Sequence, residues 1–222
     1  MTKTIKRAVV IGATGMVGRI LIQQLNEIES CEQIIAIVRR EDQQLKNLTK
    51  VKQWVMDDFL LLNDQDVAGF SHAFSCLGTT IKKAGSKANF YAIDFEINAH
   101  FADLFEGTET HYILISAQGA EAGSLFFYNQ VKGELEQHLL QSDLSCISIL
   151  RPSLLIGERD EARPLEDLSQ TVFKGLSHLL PKRFKFKPVT AEQVAHTMVE
   201  VAQTQTEKLR IYDNLEIQQN RA

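Results

Sequence analysis

The chain has 222 residues, 44% hydrophobic and 23% charged, with a formal net charge of −4. That balance fits a single α/β domain with a buried core, and the mild acidity leaves no electrostatic footprint for a nucleic-acid partner. There is no run of about 18 apolar residues to span a membrane, and the opening MTKTIKRAVVIG lacks the roughly 7–15-residue apolar segment of a secretory signal.

Apolar runs then alternate with helical periods. RAVVIGA (7–13) reads as a buried strand, and MVGRILIQQLNE (16–27) as a helix with Met16, Ile20, Leu21 and Leu25 on one side. Between them Gly12, Gly15 and Gly18 form G-x-x-G-x-x-G. Gly12 suits a tight turn, Gly15 the approach of backbone N–H groups to a pyrophosphate, and Gly18 close packing of helix on strand. The anion would sit on the helix N-terminus, which makes Gly12, Ala13, Thr14, Gly15, Met16 and Val17 the candidate phosphate loop. QIIAIVR (33–39), the second strand, ends on Arg39 and Arg40. An NAD-binding fold places an acidic residue about 20 positions past the glycines for the ribose 2′-OH. A guanidinium there suits a 2′-phosphate instead, so NADP(H) is the expected cofactor. VKQWVM (51–56) is the third strand, with Asp57 after it as a candidate acceptor for the adenine amino group. HAFSCLG (72–78) is the fourth, and Cys76, Leu77, Gly78 and Thr79 lie where the cofactor would pass.

AIDFEINAHFADLFEG (92–107) reads as a helix closing on Gly107, its phenylalanines facing the core; the alternative is a partner, either a second copy or another protein. HYILISA (111–117) is the fifth strand, FFYNQVKGELEQHLLQS (126–142) a long helix, and LSCISILRP (144–152) a sixth strand stopped by Pro152. TAEQVAHTMVEVAQT (190–204) is a helix with Thr190 as N-cap and Gln193 completing a capping box. The charged stretch 157–188, with Pro164 and Pro181, is expected to form a small cap beside the strand ends. Continuous apolar strands separated by helices imply a doubly wound, mostly parallel sheet covered on both faces, in one domain spanning 1–222. A site is then expected along its C-terminal edge.

Cys31, Cys76 and Cys146 are too scattered for a disulfide framework. His72, His100, His111, His138, His178 and His196 show no ligand spacing, so no metal is expected. The cysteines read as small buried residues in a reducing cytoplasm.

Tyr128 and Lys132 stand four apart, on one helix face. An ammonium one turn from a phenol stabilises the phenolate, which makes tyrosine usable as an acid–base group near neutral pH. The same ammonium can hold the nicotinamide ribose.

Together the glycine loop and this pair resemble the short-chain dehydrogenase/reductase superfamily. CLGTTIKKAGS (76–86), ISAQGAEAGSLFFYNQVKGELE (115–136) and LRPSLLIGERDEARP (150–164) are similar to its small atypical branch, which includes the human Tat-interacting oxidoreductase and its bacterial relatives. The resemblance runs from Lys6 to about Val201. It implies an NADP-binding Rossmann fold, acid–base roles for Tyr128 and Lys132, and a place beside the nicotinamide for Pro152, Ser153, Leu154 and Leu155. The superfamily's catalytic serine follows the fifth strand, where this chain offers Ser116 as its one hydroxyl, with Ala117 and Gln118 next.

The expected activity is hydride transfer between NADP(H) and a small carbonyl or alcohol substrate. The alternatives are an NADPH-binding sensor without turnover and, ranked last, a nucleotide-sugar epimerase.

Overall fold

The computed structural model describes residues 4–156 and 185–220. Its strands are β1 (Arg7–Ile11), β2 (Gln33–Val38), β3 (Val51–Val55), β4 (His72–Ser75), β5 (His111–Ile115), β6 (Cys146–Leu150), β7 (Leu155–Ile156), β8 (Val189–Thr190) and β9 (Leu209–Tyr212). Seven of them form one parallel sheet in the order β3-β2-β1-β4-β5-β6-β9, while β7 and β8 pair separately. Parallel strands need crossovers, and the crossovers put helices on both faces.

Helices α1 (Met16–Glu27), α2 (Gln43–Lys46), α3 (Ile81–Ala84), α4 (Lys87–Tyr91), α5 (Ile97–Asp103), α6 (Phe127–Gln141), α7 (Ala191–Thr204) and α8 (Asn214–Gln219) complete the described elements, apart from a short 3-10 turn at Phe59–Leu61 and a π turn at Ala92–Glu96. On one face Leu21, Ile22 and Leu25 of α1 meet Val194, Met198 and Val201 of α7 over β1 and β2. On the other, Phe101 and Phe105 pack with Tyr112, Leu135 and Leu139. The phenylalanines of that region therefore serve the core.

Four strands stop before their apolar runs do. Gly12-Ala13, Cys76-Gly78, Ser116-Ala117 and Arg151-Pro152 leave the ladder and turn along the C-terminal edge. The stretch read as one helix, 92–107, is instead the end of a broken rod: α4, then a π turn, then α5 ending at Asp103. Asn98 drives the break. Its side-chain amide donates to the Ile93 carbonyl at 2.9 Å, and its oxygen accepts from Ser75 at the end of β4. The capping box at Thr190 and Gln193 is present. β9 and α8 escape a periodicity reading because LRIY has Leu209 and Arg210 exposed. Of the stretch 157–188, residues 157–184 lie outside the described residues, and so does the cap expected there. Among the described residues two histidines are fully buried: His72 pairs Nε2 with the Ala202 carbonyl at 3.0 Å, and His111 pairs Nε2 with Ser148 Oγ at 2.8 Å.

Candidate active site

Every strand of the main sheet runs the same way, so the turns after β1 to β6 share one edge, and the strand order reverses between β1 and β4. Open α/β sheets bind ligands in the crevice that such a reversal opens. Gly12 lies at that crevice with φ +70°, a left-handed conformation few other residues adopt, and a Cβ there would sit 2.3 Å from the Cys76 carbonyl carbon. Gly18, one turn into α1, would place a Cβ 2.2 Å from the Gly12 oxygen. Glycine is what lets helix and turn touch. Gly15 is the helix N-cap and offers no side-chain cap, so the first N–H groups of α1 lack side-chain acceptors. Thr14 and Gly15 are exposed, Met16 is half-buried, and Ala13 and Val17 are buried beneath. An uncapped helix N-terminus behind an open glycine turn fits a pyrophosphate.

Arg39 and Arg40 follow β2, both exposed, and among the described residues neither guanidinium is paired. Asp57 is exposed after β3. Cys76 and Leu77 are half-buried, and burial pushes the Cys76 thiol up, away from thiolate.

Tyr128 occupies the first turn of α6, 37% exposed, its ring 5.7 Å from that of Phe90. One turn on, Lys132 is 3% exposed. Its Nζ lies 2.7 Å from Oδ1 of Asp94, which is fully buried in the π turn. The second Asp94 oxygen accepts the Thr79 N–H at 2.9 Å. Burial pulls the Lys132 ammonium toward the neutral form. Asp94, helped by Tyr128 and Glu136, more than offsets this and holds its pKa above the ordinary lysine value. Gly78 makes room for the pair, since a Cβ there would stand 3.2 Å from Asp94 Oδ1 and 3.5 Å from Lys132 Nζ.

Ser116 is 4% exposed and donates to the Glu136 carboxylate, which also binds Arg151 through its Nε at 3.0 and 3.1 Å. That bond holds Arg151 firmly charged. The network ties the end of β5 to α6 and to the end of β6, and it occupies the one hydroxyl expected to orient a substrate. After β6, Pro152 is buried and Leu154 is 44% exposed. Ser153 donates its N–H to Asn214 at 2.8 Å and its hydroxyl to the Lys187 carbonyl at 2.7 Å. Leu155 enters the β7–β8 pair.

The sequence reading missed Asp94. The signal lay in the spacing from Asp94 to Asn98, but no periodicity argument foresees a π turn.

Comparison with known proteins supports the same architecture. Residues 7–100 match the family model of the semialdehyde dehydrogenase NAD-binding domain. Protein FMP52-1, mitochondrial, of Scheffersomyces stipitis is 33% identical over 205 residues, covering 90% of each chain. Protein HTATIP2 of Rattus norvegicus is 33% identical over 178 residues, covering 77% of this chain and 72% of its own. Among solved structures, UDP-glucuronic acid 4-epimerase from Bacillus cereus in complex with NAD superposes with a TM-score of 0.68 at 13% identity, covering 93% of this chain and 78% of that one; at that identity the likeness concerns the fold.

The cytoplasmic expectation is corrected by the FMP52 relatives, whose names say mitochondrial. It rested on reading the three scattered cysteines as small buried residues in a reducing compartment, and that composition argument selects no one compartment. The chain belongs, with FMP52 and HTATIP2, to the atypical branch of the short-chain dehydrogenase/reductase family and carries its NAD(P)-binding Rossmann fold.

Proposed function

We propose that the chain is an NADP(H)-dependent oxidoreductase acting on a carbonyl or alcohol substrate. One observation carries this reading: a buried, charged Lys132 stands one helical turn from the partly exposed Tyr128, on the helix that follows β5 of the sheet. The residues present fit the dinucleotide. Gly12 to Val17 would hold the pyrophosphate, Arg39 and Arg40 the 2′-phosphate, and Asp57 the adenine amino group. Cys76 to Thr79 would line the path, and Pro152 to Leu155 would flank the nicotinamide. Lys132 would hold the ribose next to it.

When bound, the dinucleotide supplies or accepts the hydride. Tyr128 gives its proton to the oxygen of a carbonyl being reduced, or takes one from an alcohol being oxidised. The Lys132 ammonium steadies the phenolate left behind, and such proton transfer contributes about 10²–10⁴-fold. The oxygen-orienting role expected of Ser116 competes with its bond to Glu136.

That competition, with alanine at position 117, favours a second reading as an NADPH-holding sensor without turnover. Titration with NADPH and NADH, in wild type and in Arg39→Asp, tests the cofactor assignment. Tighter NADPH binding that Arg39→Asp weakens is expected, and equal affinities in the wild type would overturn it. NADPH oxidation across a carbonyl panel separates the two functions, because any steady-state turnover lost in Tyr128→Phe rejects the sensor.

A further inference from the structure

We propose that Asp94 is a positioning residue for the Tyr128–Lys132 pair, fixing the Lys132 amine in place and keeping it protonated where burial alone would discharge it. The inference rests on the Tyr128–Lys132 reading of the site. Both partners are sealed from solvent, with side-chain exposures of 4% for Lys132 and 0% for Asp94 and 2.7 Å between their charged atoms. A lone buried ammonium gives up its proton readily, so the counter-charge decides the state of Lys132.

The surroundings leave that task to Asp94. From its own helix, Lys132 faces Tyr128 and Glu136, and Glu136 is already matched by Arg151. The turn after β4 brings Gly78 and the Thr79 amide, neither of them charged. At the end of β5, Ser116 is uncharged and donates to Glu136.

Asp94 is itself fixed. Its second oxygen is held by the Thr79 N–H at 2.9 Å, and the π turn that carries it is stapled to β4 through Ser75 and Asn98. π turns inside helices recur at functional sites. Here the turn delivers a carboxylate to a lysine from a second element, so Lys132 is oriented from outside its own helix.

The test reads Tyr128 directly and needs no substrate. Tyrosinate absorbance is titrated with pH in the full chain, and the Tyr128→Phe titration is subtracted to isolate one phenol. In Asp94→Asn the Tyr128 signal is expected to emerge at higher pH than in the wild type, the direction set by the loss of a nearby ammonium. In Asp94→Asn/Lys132→Arg it is expected to return toward the wild-type position, because a guanidinium stays charged without help.

A purely structural Asp94 would lower the melting temperature and leave the titration where it was, which would overturn the proposal, as would an earlier titration. If Asp94→Asn fails to fold, Asp94→Asn/Lys132→Met, which removes both buried charges, is expected to fold and to titrate late. A wild-type titration in that variant, or its failure to fold, would also overturn the proposal. Turnover plays no part in this experiment. A Tyr128→Phe chain as active as wild type would therefore defeat the proposed reaction and leave the Asp94 result standing or falling alone.

Discussion

Two helices of this molecule are brought to backbone contact by the same device. A Cβ on Gly18 of α1 would lie 2.2 Å from the Gly12 oxygen, and one on Gly133 of α6 would lie 2.2 Å from the Ala122 nitrogen. What each contact delivers is different. α1 presents its own uncapped N–H groups to the edge of the sheet, so its half of the site is made of backbone. α6 presents Tyr128 and Lys132, so its half is made of side chains, and the second of these depends on Asp94 from another element. A backbone site follows once the fold forms. A side-chain site needs each neighbour to be correct as well.

Lys132→Met should break that comparison most forcefully. It strands the Asp94 carboxylate in the interior, and leaving a buried ion without its partner costs about 3–5 kcal/mol, readable by denaturant unfolding at neutral pH. The pH dependence should change too. Lys132 has a raised pKa in the folded chain, so its contribution is complete below the unfolded lysine value of about 10.4. That contribution is lost as pH rises through the folded value. The alkaline loss should be seen in wild type and be absent in Lys132→Met.

Next come the two glycines. Gly18→Ala and Gly133→Ala each force a methyl against backbone, and overpacking costs about 1–3 kcal/mol. That is a fall of several degrees in melting temperature at about 2–4 °C per kcal/mol for a chain of this size. The sharper test lies in what else is lost. Gly18→Ala should weaken NADPH binding most, whereas Gly133→Ala, next to Lys132, should depress turnover more than binding. Equal effects on both would show that the halves are not separable.

The smallest effect concerns Arg39, at the rim of the backbone half. Arg39→Asp should weaken NADPH about tenfold, the loss of one charge-assisted contact, and leave NADH within a factor of about two. The NADPH effect should shrink at high salt, since Arg39 is exposed.

This division also explains what the sequence could show. The glycine loop was legible because its spacing encodes geometry directly: Gly12 has the left-handed φ and Gly18 the close approach. α1 was read to the residue at Met16–Glu27, since its apolar stripe carries the period. That Tyr128 and Lys132 share one helix was legible for the same reason, being local. The long-range contacts were not legible. Asp94 reaches Lys132 only because Asn98 holds open a π turn, and Ser116 and Arg151 meet the one Glu136 carboxylate only after three elements have packed. The reading of Ser116 as a substrate donor followed from its place after β5, and nothing local to the sequence announces the carboxylate that claims its hydroxyl.

The central claim is that the backbone half binds and the side-chain half reacts, and parallel measurement of the two in Tyr128→Phe tests it most directly. Tyr128 is 37% exposed at the start of α6, so removing its hydroxyl should leave the fold intact. NADPH affinity is expected to stay within about twofold of wild type, while NADPH oxidation by the carbonyl substrate that wild type turns over falls by about 10²–10⁴. Unchanged turnover, or affinity and turnover lost together, would contradict it.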